Sequence, residues 1–249
     1  VVERADRAPV ATFHAPGAWG GEGGSHIELD EAAAHHAAVK RLAIGDVVHL
    51  TSGGGRRALG TISALGKRRL TIALEGPVEQ VAPLPRVELW APVGDRERML
   101  WLGEKAVELG ATTWRPIVYG RSRSVSPRGE GDAFRDKLRL RMVSALEQCG
   151  SAWLPEIETE TTLDAALSAS AVVMGLLLDA EGPRLASLDG KLRAPVAIAL
   201  GPEGGLDAAE RDAFVRAGWR RASLGANVLR FETAGIAALA VVRSLMADQ

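Results

Sequence analysis

The stretch Pro195-Val-Ala-Ile-Ala-Leu-Gly-Pro-Glu-Gly-Gly-Leu-Asp207 decides the fold. Pro195 to Leu200 is an unbroken apolar strand, Gly201 to Gly205 is a glycine loop, and Asp207 is an N-cap for a helix reaching Ala217. In parallel α/β sheets, ligands bind in the loop at a strand's carboxyl end, and glycines there let a ligand approach the backbone. A tight turn of Gly and Pro between strand and helix is the plain alternative. What lifts the loop above a turn is Glu203, the single carboxylate within Gly201 to Gly205.

Outward from this stretch the same rhythm repeats. Downstream come a short strand Arg221 to Leu224, the loop Leu224-Gly-Ala-Asn-Val-Leu-Arg-Phe-Glu-Thr-Ala234, and a closing helix from Glu232 to Met246. Arg230, Glu232 and Thr233 gather at that helix N-terminus, where free N–H groups can take a side-chain cap or a polar ligand. Upstream lie a strand Ala171 to Leu178, a helix Asp132 to Gln148, a strand Thr112 to Val118, a helix opened by Asp95 and closed by Gly110, and a strand Val87 to Ala91. Strands alternating with helices predict a layered α/β domain.

Before Pro85 the pattern changes. Asp46 to Thr51, Arg57 to Leu65 and Arg69 to Leu74 alternate apolar and polar residues, with one helical stretch, Glu31 to Arg41, after Asp30. This predicts a small β-barrel with one helix. Gly76-Pro77 and Ala82-Pro-Leu-Pro85 read as turn and linker, which places the boundary between a domain of residues 1–83 and one of residues 84–249.

Composition narrows the function. The chain has 249 residues, 30 Lys plus Arg and 31 Asp plus Glu, which argues against a disordered chain and a globally basic nucleic-acid coat protein. One cysteine, Cys149, allows no internal disulfide and no cysteine-based zinc site within one chain. No apolar run approaches the roughly 20 residues of a membrane span, and Val1 to Pro9 lack an apolar leader core, so a cytoplasmic, membrane-free and metal-free protein is expected. All five histidines, His14, His26, His35, His36 and His49, precede residue 50, so chemistry in the larger domain runs without histidine. Adjacent on a helix, His35 and His36 point in different directions and suit structure better than metal ligation.

Charge is unevenly spread. Between Arg115 and Arg141 stand eight basic residues against three acidic ones, Glu130, Asp132 and Asp136. Arginines among Ser and Gly in Gly120 to Ser126 suit phosphate contact, so Arg121, Arg123, Arg128 and Arg139 are candidate RNA contacts, with a solvated charged loop as the alternative. Gly53-Gly-Gly-Arg-Arg-Ala58 fits a dinucleotide fingerprint in letters, but an alternating strand follows it rather than a helix. It reads as a hairpin turn, which weakens any oxidoreductase reading.

With these clusters in place, the chain resembles the 16S ribosomal RNA uridine-N3 methyltransferase family of the SPOUT superfamily. The matching pieces are His35 to Asp46, Glu104 to Gly110, Glu147 to Gly150 with Pro155 to Ile157, Gly201 to Leu206 and Leu224 to Ala234. The resemblance implies an N-terminal PUA-like β-barrel that grips RNA and a C-terminal α/β domain tied in a trefoil knot. It implies a homodimer and a substrate within 16S rRNA of the 30S subunit. Bound S-adenosylmethionine would lie among three loops, carried here onto Met174, Gly175 and Leu176, onto Leu200, Gly201, Pro202, Glu203, Gly204 and Gly205, and onto Leu224, Gly225, Val228, Leu229, Arg230 and Thr233. The chain departs from the family at Phe231, where many relatives have Thr, at Ser151, where many have Arg, and at Val93, where Lys is usual.

Methyl transfer needs donor and acceptor positioned more than protons shuttled, which fits a histidine-free domain. Arg230 is the candidate for stabilising charge on the uracil oxygens, and Glu203 for orienting the base or assisting loss of its N3 proton. Another SPOUT methyltransferase acting on ribose 2′-OH, or a non-catalytic RNA-binding assembly factor that keeps the fold, are the alternatives.

Overall fold

The structure, a computed structural model, describes residues 8–17, 19, 25–124, 127–188 and 192–246, excepting the side chains of 123 and 124. Contacts divide it into two units, Val1–Pro83 with Leu146–Leu154, and Leu84–Ala145 with Pro155–Gln249.

The first unit contains β1 (Thr12–His14), β2 (His26–Leu29), α1 (Glu31–Val39), β3 (Val47–Thr51), β4 (Arg56–Leu65) and β5 (Leu70–Gln80). They form one sheet in the order β1-β3-β4-β5-β2, parallel at β1–β3 and antiparallel elsewhere. Phe13, Val48, Leu50, Ile62, Leu70 and Ile72 are fully buried, because alternation sends every second residue to the inner face. Asp30 caps α1 by accepting from the Ala33 amide at 3.1 Å. The Gly53 to Ala58 stretch includes the β3–β4 turn, where Gly53 and Gly55 adopt positive φ of 70° and 92°.

Two features differ from the sequence reading. Gly76-Pro77 is no linker but a bulge within β5: Leu59 pairs with Glu75 while Arg57 pairs with Glu79, so Gly76 to Val78 stand opposite Ala58 alone. Gly76 supplies a positive φ of 72°, and Pro77 sits where a ladder donor is dispensable. The first unit also takes in Leu146–Leu154. Gly55 donates to the Ala152 carbonyl and Leu154 to that of Gly53, both at 2.9 Å. Glu147 receives the His14 amide at 2.9 Å and faces His36 Nδ1 at 3.0 Å. With its ring against Phe13, His36 is a packed structural residue, while His35 is exposed.

The second unit runs β6 (Val87–Pro92), α2 (Arg96–Glu108), β7 (Thr113–Val118), a 3-10 turn (Gly120–Ser124), α3 (Asp132–Cys149, its last residues counted with the first unit), β8 (Glu156–Ile157), β9 (Thr161–Thr162), α4 (Leu163–Ala169), β10 (Met174–Leu178), a second 3-10 turn (Leu185–Ser187), β11 (Val196–Ala199), α5 (Ala208–Arg216), β12 (Arg220–Ala222) and α6 (Phe231–Met246). The strands are all parallel in the order β12-β10-β11-β6-β7-β8, and β9 also pairs with β7. Every residue of β6 and β11 is buried, as central parallel strands require. The strand expected from Ala171 begins only at Met174, where pairing with Val196 starts, and Val173 before it is exposed.

One helical layer joins α6 to α2. Phe231, Gly235, Ala238, Leu239, Val242 and Met246 form the buried stripe of α6, and at Gly235 an added Cβ would lie 2.8 Å from Leu102 and 3.0 Å from Leu200. Arg243 fastens the far end of α6 by donating to the carbonyls of Pro85 and Gly110, and burial pulls its guanidinium down to about 10, still charged at neutral pH. A separate core cluster centres on Trp90, Phe214 and Trp219, whose ring centroids lie 4.6 to 6.4 Å apart. Gly175 permits this cluster, since any side chain there would collide with the Trp219 indole.

Candidate active site

Strands β6 and β11 are neighbours, yet the chain leaves them in opposite directions: β6 leads through α2 to β7, and β11 leads through α5 to β12 beyond β10. Such a switch point opens a crevice at the carboxyl ends of the strands. A cavity of 540 Å³ lies there, lined by the ends of β10, β11 and β12, the loops that follow them, Arg98 of α2 and the start of α6.

The structure brings most of the expected residues together. Leu200, Gly201, Pro202, Glu203, Gly205, Leu224, Gly225, Val228, Leu229 and Arg230 all line the cavity. Gly204 does not: its carbonyl accepts from Arg121 Nη1 at 2.6 Å, and its α-carbon packs on the Arg121 stem. Thr233 is also absent from the lining, exposed in the first turn of α6. Met174, Gly175 and Leu176 belong to the start of β10 rather than to the cavity. Leu178 and the turn Asp179, Ala180 and Glu181 take that place, because strand direction puts the carboxyl end there.

The geometry around Glu203 is specific. Its side chain is 23% exposed, and Oε1 accepts the Asp95 amide at 3.2 Å. Arg98 Nη1 stands 3.8 Å from the same oxygen, and Arg98 Nε stands 3.8 Å from Oε1 of Glu232. Gly94 leaves room for the carboxylate: a Cβ on it would lie 3.0 and 3.2 Å from the Glu203 oxygens and 3.3 Å from the Phe231 ring. A capping box sets the loop's exit, Asp207 accepting from Glu210 N at 2.8 Å and Glu210 from Asp207 N at 2.9 Å. Glu210 also takes the Gly120 amide at 2.7 Å, so the 3-10 turn and the loop form one hydrogen-bonded piece.

Across the cavity, Asp179 accepts from Arg221 at 3.0 Å, with Arg211 at 4.0 Å. Burial alone would raise the Asp179 carboxyl, but its bonds to Arg221 and the Glu181 amide and the charges of Arg221 and Arg211 hold it below the usual carboxylate range. Sequence reasoning missed Asp179 and Arg98. The first acidic residue after a buried strand was a usable signal for Asp179, whereas nothing in the charged run Asp95 to Arg98 marked one arginine out.

Much of the basic segment is committed elsewhere. Arg115 is buried and pairs with Glu158 at 2.8 Å and Glu88 at 3.7 Å, and Arg128, Arg135, Lys137 and Arg141 each face a carboxylate. Arg139 is exposed and has no ion pair among the described residues. The Arg123 side chain, Val125 and Ser126 lie outside the described residues. No helix among the described residues is long and apolar enough to cross a membrane, and no cluster of His, Cys, Asp and Glu among them could hold a metal ion.

A parallel sheet carrying a glycine-loop cavity at its switch point, preceded by a small β unit, is the architecture of an α/β enzyme with an appended β module. Residues 82–243 match the RNA methyltransferase domain family, and residues 29–75 match the RNA methyltransferase PUA domain, so the chain belongs to the RNA methyltransferase family. It is 27% identical over 231 residues to the Ribosomal RNA small subunit methyltransferase E of Rickettsia conorii, covering 89% of this chain and 91% of that protein. A Legionella pneumophila protein described as a methyltransferase and solved with bound cofactor SAM superposes with a TM-score of 0.81 at 26% identity, covering 94% of this chain and 96% of that one. The Ribosomal RNA small subunit methyltransferase E of Neisseria gonorrhoeae, solved with S-adenosyl methionine, shares the fold at a TM-score of 0.81 and 23% identity, covering 94% of this chain and 97% of that one.

Proposed function

We propose that the chain transfers a methyl group from S-adenosylmethionine to N3 of a uridine in 16S rRNA of the small ribosomal subunit, acting in the cytoplasm as a homodimer. The observation that carries the reading is the convergence of three strand-end loops on one cavity that holds a carboxylate, Glu203, beside arginines. The reading includes a trefoil knot in the C-terminal segment.

The lining fits the cofactor. A volume of 540 Å³ falls within the about 300–1,000 Å³ usual for small-molecule sites. Leu178, Leu200, Leu206, Val228 and Leu229 offer apolar surface for an adenosyl group, and Gly201, Gly205 and Gly225 open the backbone to it. Asp179, Glu181 and Glu203 supply the negative field that a sulfonium cation needs. When bound, S-adenosylmethionine supplies an electrophilic methyl group.

The protein's own part is to hold the acceptor and manage its proton. Glu203, fixed by the Asp95 amide, orients the base and takes the N3 proton. Arg230, exposed at the cavity rim, stabilises the charge that then spreads onto the ring oxygens. Arg139, with Arg121 and Arg123 of the 3-10 turn, serves the RNA backbone, and Arg128 joins them by exchanging Glu130 for a phosphate. Arg121 does so while braced on Gly204.

Nucleoside analysis of small-subunit rRNA from a strain lacking the gene tests the reading. Loss of N3-methyluridine, restored by the purified protein and S-adenosylmethionine, is the expected result. Loss of a ribose-methylated nucleoside instead, or no change in methylation, overturns it. A finer prediction concerns Gly94→Ala, whose new methyl group displaces the Glu203 carboxylate. Single-turnover methylation is expected to fall roughly 10- to 100-fold, while the thermal melt stays close to that of the parent protein.

A further inference from the structure

The Arg98 guanidinium is held by charge yet donates no hydrogen bond among the described residues. Its side chain is 33% exposed and lines the cavity. The 3.8 Å separations to Glu203 and Glu232 lie beyond hydrogen-bond range. Glu232 is 6% exposed, and its second oxygen has no hydrogen-bond partner among the described residues, so a cation beside it answers a buried negative charge. A guanidinium serving only that purpose would close on the carboxylate with its fork of donors. Here the fork stays uncommitted at the wall of a cavity, beside an acceptor, Glu203, which faces the same space.

We propose that Arg98 and Glu203 form a donor–acceptor pair that reads the imide edge of the acceptor uracil, an assignment that rests on uridine N3 being the methylated atom. Uracil presents an N3–H donor flanked by carbonyl acceptors, so Glu203 receives the N3–H and Arg98 donates to one neighbouring oxygen. The N3 proton passes to Glu203, and the charge it leaves spreads onto the ring oxygen that Arg98 faces. Cytosine presents a bare N3 flanked by the same O2 and by an amino group in place of O4. The carboxylate would meet a lone pair, and a guanidinium facing position 4 would meet a donor, so Glu203 rejects cytosine in either pose and Arg98 adds to the rejection where it faces O4. Arg98 is thereby a second catalytic guanidinium besides Arg230.

The test uses 30S particles assembled on small-subunit rRNA that carries uridine, 2-thiouridine or 4-thiouridine at the acceptor, because sulfur accepts hydrogen bonds poorly. The wild-type enzyme is expected to lose rate with sulfur at one of the two positions. Arg98→Ala and Arg98→Lys are expected to lower kcat on uridine roughly 10- to 100-fold and to abolish that sulfur effect. Arg98→Lys keeps a cation beside Glu232, so its thermal melt should match the wild type and separate chemistry from folding. Variants that retain the full sulfur effect, or a wild-type enzyme indifferent to sulfur at both positions, would overturn the assignment. A wild-type enzyme that leaves uridine N3 unmethylated in these particles sinks the acceptor reading itself, whatever the variants do.

Discussion

Replacing Glu203 with Ala is expected to slow single-turnover methyl transfer by about 10²- to 10³-fold. Two losses combine. The cavity loses its proton acceptor, and the Asp95 amide loses the oxygen it holds at 3.2 Å, loosening the start of α2 where Arg98 stands. Glu203→Gln separates them, because the amide oxygen can still receive Asp95 N while the charge is gone. If Glu203 takes the N3 proton, the Gln variant stays within a few-fold of Ala at neutral pH. It then recovers as pH rises, since the base increasingly ionises unaided. A Gln variant that matches the wild type across the pH range leaves Glu203 an orienting role alone.

Arg115→Ala is expected to cost the second unit about 3–5 kcal/mol, the usual penalty for removing one partner of a buried ion pair. Arg115 is 9% exposed, lies between Glu158 and Glu88, and stacks its guanidinium 5.1 Å from the centroid of the Trp90 ring. Glu88 is 3% exposed and keeps Arg86 at 2.9 Å and the Trp90 indole N–H at 3.0 Å. That residual support places the effect toward the lower end of the range. Urea unfolding followed by tryptophan fluorescence reads it, and adding Glu88→Gln should recover part of the loss. A single-variant change below about 1 kcal/mol would show the network to be solvated.

The Arg115 network also shows where sequence reading reached and where it stopped. Local chemistry was legible: Asp95 and Asp207 marked their helices, Pro195 to Asp207 read as strand, loop and helix, and the uniformly apolar β11 announced a central parallel strand. Elements too short to show a period were missed. Neither β1 and β2, with three and four residues, nor α4, with seven, offers a periodic signal of its own. Charge counting overstated the unpaired charge for a related reason. The excess between Arg115 and Arg141 is visible in the chain, but Glu158, Glu88, Glu97 and Glu104, which answer much of it, lie outside that window. Arg98 and Asp179 became site residues through strand order, since the pairing of β6 with β11 and of β10 with β12 brings their loops together. A one-dimensional pattern does not encode strand order.

The assignment of Leu146–Leu154 to the first unit bears on how the protein is made. During synthesis the chain emerges amino end first, so the β3–β4 turn and His36 appear long before Ala152 and Glu147, their hydrogen-bonding partners. The first unit therefore cannot close until residue 154 has left the ribosome, by which time β6, α2, β7 and α3 are already outside. The first unit is a discontinuous assembly that matures late, and a fragment cut at Pro83 would lack part of its own hydrogen bonding.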